Sequence, residues 1–495
     1  MSVEKELILL IQYAKNKHLI ENQDLKQVKS YLCDIFHIND LPFIIQTKIQ
    51  PDFSTVMEPL LDDAYSNQLF KPNTLDERDA FEAKIMDAVM PSPNKVKFEF
   101  KRKFDILPNL ATHYLFQLSN DANYIKTIRL KENISWSYLG QYGNLQLTIN
   151  LAKPEKDPKE IARALKKPVH VDLNKPLCVL CKENEQNYDN ARMNLRIVPI
   201  ILGNELWHFQ YSPYQYYNEH AIILHDIHRP MKITNLTFEY LLDFIDMFPE
   251  YFIGSNADLP IVGGSILNHD HFQAGRHHFP IESAKTIKTY QVNQLLVLEH
   301  ILWPLSTIRL TSKSRDEISF LASLILDKWK NYSNQALEIF PLTNDIPHQT
   351  ITPILRKLND RYQMDLILRN NRTSEAYPDG IFHPHPDVQH IKKENIGLIE
   401  AMGLAILPGR LEKELEAIQQ YLQGISPMTK ELVKHKKWMN ELSKYKVIDN
   451  KFLLNEVSKK FERVLEDSGA FKLNEQGNEA MHNFIDEIIN ASKVC

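Results

Sequence analysis

Two short runs of this 495-residue chain hold side chains that could do chemistry together. The first is His269-Asp-His271-Phe-Gln273. In an extended strand, residues 269, 271 and 273 project to one face, about 6.6 Å apart per pair. Two imidazoles and a carboxamide then line one wall. A neutral imidazole is a good nucleophile toward phosphorus and stays available at neutral pH. A carboxamide can donate to a phosphoryl oxygen as charge builds there, but it is neither an acid nor a base. Such a wall can form a histidine–phosphorus bond without delivering water to break it, which favours transfer over hydrolysis. Four of the 14 glycines, Gly254, Gly263, Gly264 and Gly275, fall within 22 residues around it. Glycine lets backbone come close to a ligand, so Gly263 and Gly264, before Ser265, are candidate substrate contacts. Arg276 could meet a phosphate through two N–H groups. His277 and His278 read as rim or surface.

The second run is Cys178-Val-Leu-Cys181, with the two-residue gap of a zinc knuckle. It supplies two ligands of the four that a closed tetrahedral site needs. His220, before a candidate strand, and His269 could complete it. Zinc held by four side chains would be structural, with no open position for chemistry. A redox pair, without the βαβ setting such pairs need, and two unrelated thiols stand as alternatives. His383-Pro-His385 could be a second metal corner, a wall of a site or a solvated loop. Pro384 and Pro386 argue against a central strand there.

The elements that must position these residues read as follows. Residues 1–90 look helical, with Leu7, Ile8, Ile11 and Ala14 near helical spacing. Strand signals begin after residue 95. Leu145-Gln-Leu-Thr-Ile-Asn-Leu151 alternates as a half-buried strand should. Ala221–Leu224 is a short apolar run. A helix with Phe238, Leu241, Ile245 and Phe248 on one face follows, stopped by Pro249. Trp303–Leu310 reads as a strand, Ser314-Arg-Asp-Glu317 as a capping box opening a helix, and Met364–Leu368 as a strand. Strand, helix, strand and a His-x-His thus occur twice in order. The expected fold is α+β: two related halves with antiparallel sheets and packed helices, plus helical extensions at both ends. The expected divisions are 1–95, 96–285 (holding the nucleophile), 286–410 and 411–495.

Bulk properties narrow the function classes. Fifty-eight Lys and Arg against 63 Asp and Glu give −5, so electrostatics suggest neither a nucleic-acid nor a membrane partner. At 43% hydrophobic the chain can bury a substantial core. Neither GxGxxG nor GxxxxGK[ST] occurs. Four cysteines are no disulfide framework in a chain this long. The acidic N-terminus and the lack of a long apolar run lead to the expectation of a soluble, cytoplasmic protein.

The run Gly263 to Gln273, together with Lys392-Lys-Glu-Asn-Ile-Gly-Leu-Ile-Glu-Ala-Met-Gly-Leu-Ala-Ile-Leu-Pro-Gly-Arg410, resembles the class II galactose-1-phosphate uridylyltransferases. Thr148–Pro158 and Pro176–Asn184 are similar to the same family. The resemblance implies two histidine-triad halves and exchange of UMP between UDP-glucose and galactose 1-phosphate, by ping-pong through a uridylylated histidine. It makes His271 the nucleophile and puts Gln273 where hydrolytic relatives carry a third histidine. Ser265 resembles a phosphate-contacting serine of the class I enzymes, and Cys178, Cys181, His220 and His269 resemble their zinc set. A homodimer and no organic cofactor are also implied. A dinucleoside tetraphosphate phosphorylase of the same superfamily and a non-catalytic UDP-sugar-binding module are the alternatives.

Overall fold

A computed structural model describes residues 3–42, 50–71, 75–152, 176–187 and 190–493. The end of the family-like segment Thr148–Pro158, from residue 153, lies outside the described residues, as does Cys495.

Helices dominate up to residue 130, ending with Pro93–Phe104, Pro108–Asp121 and Thr127–Leu130. Strands come later than the expected start after residue 95. Their ranges are β1 (Ile134–Gly140), β2 (Gly143–Asn150), β3 (Val198–Leu202), β4 (Glu205–Tyr211), β5 (Ala221–His225), β6 (Phe252–Gly254) and β7 (His271–Gly275). They continue with β8 (Thr286–Gln291), β9 (Leu296–Ile301), β10 (Thr307–Ser312), the small hairpin β11 (Leu342–Thr343) and β12 (Ile346–Pro347), β13 (Gln349–Leu358), β14 (Arg361–Asn370) and β15 (Leu404–Pro408). The single strand expected over Trp303–Leu310 starts only at Thr307, because Pro304 lacks the N–H a ladder requires.

The duplicated order becomes one ten-stranded sheet, β3-β4-β5-β7-β6-β13-β14-β10-β9-β8, with every pairing antiparallel. The first half runs β3, β4, β5, helix Asn235–Met247, β6, β7, and the second runs β8, β9, β10, helix Arg315–Asn331, β13, β14. The halves meet where β6 pairs with β13. Thr234 and Ser314 cap the two helices, Ser314 Oγ accepting from Glu317 N at 3.3 Å, but the return half of the expected capping box is not made: Ser314 N donates to Ser312 Oγ at 3.0 Å and Glu317 Oε2 accepts from Asn293 at 2.8 Å.

Side-chain alternation gives the sheet two unlike faces. One carries Trp207, Phe209, Ile223, Phe272, Ala274, Ile351, Leu355, Met364 and Leu366 into a core shared with both helices. Indole Nε1 of Trp329 closes it by donating to the carbonyls of Thr350 and Arg369, at 3.0 and 3.1 Å. The other face carries Phe252, Ile354 and Ile367 into a second core, with β2, β15 and the helices Arg410–Leu422 and Asn450–Ser468. There β2 pairs with β15 in parallel and β1 with β2 antiparallel. Leu145, Leu147 and Ile149 are buried, as their alternation predicts.

On this second face the halves differ chemically. β14 presents Asp365, fully buried between Arg309 and Arg356. Arg309 Nε donates to Asp365 Oδ1 at 2.6 Å and Nη2 to Ile281 O at 2.8 Å. β7, the corresponding strand of the first half, presents His271 and Gln273 instead.

Candidate active site

On β7, Phe272 and Ala274 fill the helix-side core, Phe272 stacking on Trp207 with centroids 4.9 Å apart. Alternation therefore turns His271 and Gln273 to the opposite face, as expected, but not His269, which the spacing also placed there: it precedes β7 and its Nδ1 faces the cysteine sulfurs. His271 is 5% exposed. Its Nδ1 lies 2.7 Å from the carbonyl oxygen of His269. A carbonyl can only accept, so the ring hydrogen sits on Nδ1 and Nε2 keeps its lone pair. Nε2 makes no hydrogen bond among the described residues. Burial pushes the ring's pKa down to about 4, which keeps it neutral and nucleophilic across the physiological range.

His269 turns away from that face. Its Nδ1 is 3.3 Å from Cys178 Sγ and 3.7 Å from Cys181 Sγ, and Cys181 Sγ is 3.2 Å from His228 Nδ1. These four side chains place one ligand atom each within 4.8 Å of one another and could hold a metal ion. His269 Nε2 donates to His225 O at 2.9 Å, which leaves the Nδ1 lone pair facing the sulfurs. Burial, with Cys178 beside it, raises the Cys181 thiol to about 11. A bound cation would reverse this by stabilising thiolate.

The fourth corner is His228, and His220 is not part of the cluster. β5 and β7 run antiparallel with Leu224 opposite His271. The residues just before β7 therefore adjoin those just after β5, where His228 lies. His220 precedes β5 and falls at the other end, near Gly275. An ionic clamp holds the corner: Arg229 donates to Asp270 Oδ2 at 3.0 Å and to Glu205 at 3.1 and 2.9 Å, and Asp270 N donates to Arg229 O at 2.7 Å.

The remaining expectations divide. Gly263 is buried with no room for a side chain, since a Cβ would stand 2.5 Å from the carbonyls of Ala257 and Leu259. Gly264 packs on Asn256, whose Oδ1 accepts from Leu398 N at 2.8 Å. Tight packing explains both glycines. Ser265 is exposed and makes no hydrogen bond among the described residues. Arg276, expected to meet phosphate, is committed elsewhere: it pairs with Glu250 at 2.8 Å and Glu219 at 3.5 Å, donates to Asn109 and stacks on Tyr251. His277 bonds Gln146 Oε1 at 2.7 Å and His278 is exposed. His385 stacks on Tyr377, with Nε2 3.0 Å from Ile381 O and Nδ1 3.4 Å from Asp467, while His383 is buried. Among the described residues His383 and His385 join no group of three or more ligands that could hold a metal ion.

The wall formed by β7 thus offers an unprotonated nitrogen, a carboxamide beside it and a rigid Cys/His corner behind it. That set suits attack on phosphorus and is poor at activating water.

Comparison with known proteins gives the family. Residues 18–230 match the family model for the galactose-1-phosphate uridyl transferase N-terminal domain, and residues 244–440 that for the C-terminal domain. Galactose-1-phosphate uridylyltransferase of Clostridium acetobutylicum is 45% identical, covering 98% of this chain and 99% of that protein. The protein of that name from Clostridium perfringens strain SM101 is 44% identical over 97% and 98%, and that from Lactococcus lactis 42% over 99% and 100%. Yeast Ap4A phosphorylase Apa2 aligns with a TM-score of 0.33 and 13% identity over 65% of this chain and 90% of that one, too weak a likeness to bear on the fold or the activity. Among the described residues no helix is long and apolar enough to cross a membrane. With both domain models and full-length relatives in agreement, the chain belongs to the galactose-1-phosphate uridylyltransferase family.

Proposed function

We propose that this chain exchanges UMP between UDP-glucose and galactose 1-phosphate through a uridylylated His271. The observation that carries the reading is the His271 ring: Nδ1–H is tied to the His269 carbonyl, and Nε2 is unprotonated with Gln273 on the same face. Nε2 attacks the α-phosphorus of UDP-glucose, a nitrogen–phosphorus bond forms, and the bond to the bridging oxygen breaks. Glucose 1-phosphate leaves with that oxygen and its electron pair. The ring of the adduct keeps its Nδ1 hydrogen and is cationic, so it remains a good leaving group. A phosphate oxygen of galactose 1-phosphate then attacks the same phosphorus and His271 is regenerated. Gln273 donates to a phosphoryl oxygen as charge accumulates, and having no basic group it does not activate water. Each half-reaction exchanges like bonds, so the overall equilibrium lies near unity.

The donor set at the Cys/His corner fits zinc. Zn–S near 2.3 Å and Zn–N near 2.0–2.1 Å in a tetrahedron place S···S at about 3.8 Å and S···N at about 3.6 Å. The corner has Cys178 Sγ to Cys181 Sγ at 3.6 Å and S···N contacts of 3.2–3.7 Å. Bound there by four side chains, zinc would be structural. The His269 carbonyl that holds the His271 hydrogen belongs to one of those ligands, so metal binding would stiffen the nucleophile's support. A homodimer working in the cytoplasm rests on the family resemblance alone.

The test is incubation with UDP-glucose labelled in the UMP portion, without acceptor. The protein should acquire label that is acid-labile and alkali-stable, and galactose 1-phosphate should discharge it. His271→Asn should abolish both label and turnover. An active enzyme that never labels would rule out covalent transfer.

A further inference from the structure

With His228 filling the metal corner, His220 is left buried, 3% exposed, on the face of β5 that adjoins the site. Ile222 pairs with Gln273, so His220 stands one same-face step further along, against Gly275. A Cβ on residue 275 would come within 2.6 Å of the Tyr217 ring, and glycine there lets that ring pack on His220 with centroids 4.4 Å apart. Tyr216 lies 5.4 Å away. The His220 ring is therefore fixed in place. Its Nδ1 is 3.2 Å from Tyr214 O, which puts the hydrogen on Nδ1 and a lone pair on Nε2.

Gln273 projects from β7 on the same face, diagonal to His220 across the pairing of Ile222 with Gln273. His220 Nε2 and Gln273 Oε1 are both buried, and neither has a hydrogen-bond partner among the described residues. Two unsatisfied acceptors side by side are costly, and a half-turn of the carboxamide about its last torsion replaces them with an N–H···N bond. We propose that His220 is a positioning residue for Gln273: its Nε2 accepts one amide hydrogen, sets the sense of the carboxamide, and leaves the second N–H for the phosphoryl group at His271. This rests on the transfer reading above. Without His220 the amide can rotate and present its oxygen to an anion, which repels it.

The test follows the single-turnover rate of His271 labelling from UMP-labelled UDP-glucose. His220→Phe keeps a ring but removes the acceptor, and should slow labelling roughly tenfold, about the worth of one hydrogen bond, with KM nearly unchanged. His220→Gln restores an acceptor and should recover the rate to within about threefold. In a Gln273→Ala background, His220→Phe should change the rate less than about twofold, since the two residues act as one unit. Should the Phe variant not fold, His220→Met takes its place in the same cycle. The proposal is overturned by a wild-type rate in His220→Phe, by an equal loss in both backgrounds, or by failure of Gln to rescue. Absence of label on the wild-type protein would instead overturn the transfer reading itself.

Discussion

The metal corner makes the sharpest prediction, because two histidines of similar sequence standing part company there. His228 Nδ1 is 3.2 Å from Cys181 Sγ, whereas His220 lies at the far end of β5. Structural zinc is worth about 10–16 kcal/mol in small zinc domains near neutral pH. Spread over four ligands, that is roughly 3 kcal/mol each, or about 100-fold in affinity. His228→Ala should therefore weaken zinc binding by about two orders of magnitude, read by competition with a chromophoric chelator on the folded protein. His220→Ala should bind zinc like the wild type. Activity should fall in the His228 variant as well, since His269 carries the carbonyl that holds the His271 hydrogen. Unchanged zinc affinity in His228→Ala, or its loss in His220→Ala, would refute the assignment.

Three further outcomes are expected. Asp365→Asn would leave Arg309 and Arg356 buried around a neutral group, costing about 3–5 kcal/mol in urea unfolding with the slope unchanged; a loss below about 1 kcal/mol would mean the guanidiniums find other partners. Burial lowers His300 and His390 to about 4 and about 3, beside His482 and His435. As pH falls below about 6.5 the unfolded chain takes up protons that the folded one refuses, so each should cost on the order of 1 kcal/mol of stability by about pH 5.5; His300→Gln should flatten that dependence, and an unchanged slope would contradict it. Phe272→Ala, opening a hole beside Trp207, should cost about 3–5 kcal/mol by the same unfolding assay.

Much of this was legible in the sequence because it is local. The alternation of Leu145, Leu147 and Ile149, the N-cap at Ser314, and the helix stopped before Pro249 each depend on a few adjacent residues. So does the common face of His271 and Gln273. What sequence could not reveal depends on which chain ends meet. His220 and His228 flank the same strand, and only the antiparallel pairing of β5 with β7 says which flank adjoins His269. Arg276 looked free for phosphate because its partners, Glu219 and Glu250, are distant in sequence. The parallel pairing of β2 with β15 joins residues 143–150 to 404–408 and leaves no periodic trace in either segment.

The seam between the halves has a consequence for whether they can be separated. β6 is only three residues long, yet through it two halves of the same element order become one continuous sheet. Neither can be cut away without baring a hydrogen-bonding edge beside hydrophobic side chains, a template for aggregation. In the first half β7 carries His271 and Gln273, and in the second β14 carries a carboxylate gripped between two guanidiniums. An isolated N-terminal fragment should accordingly precipitate rather than work slowly.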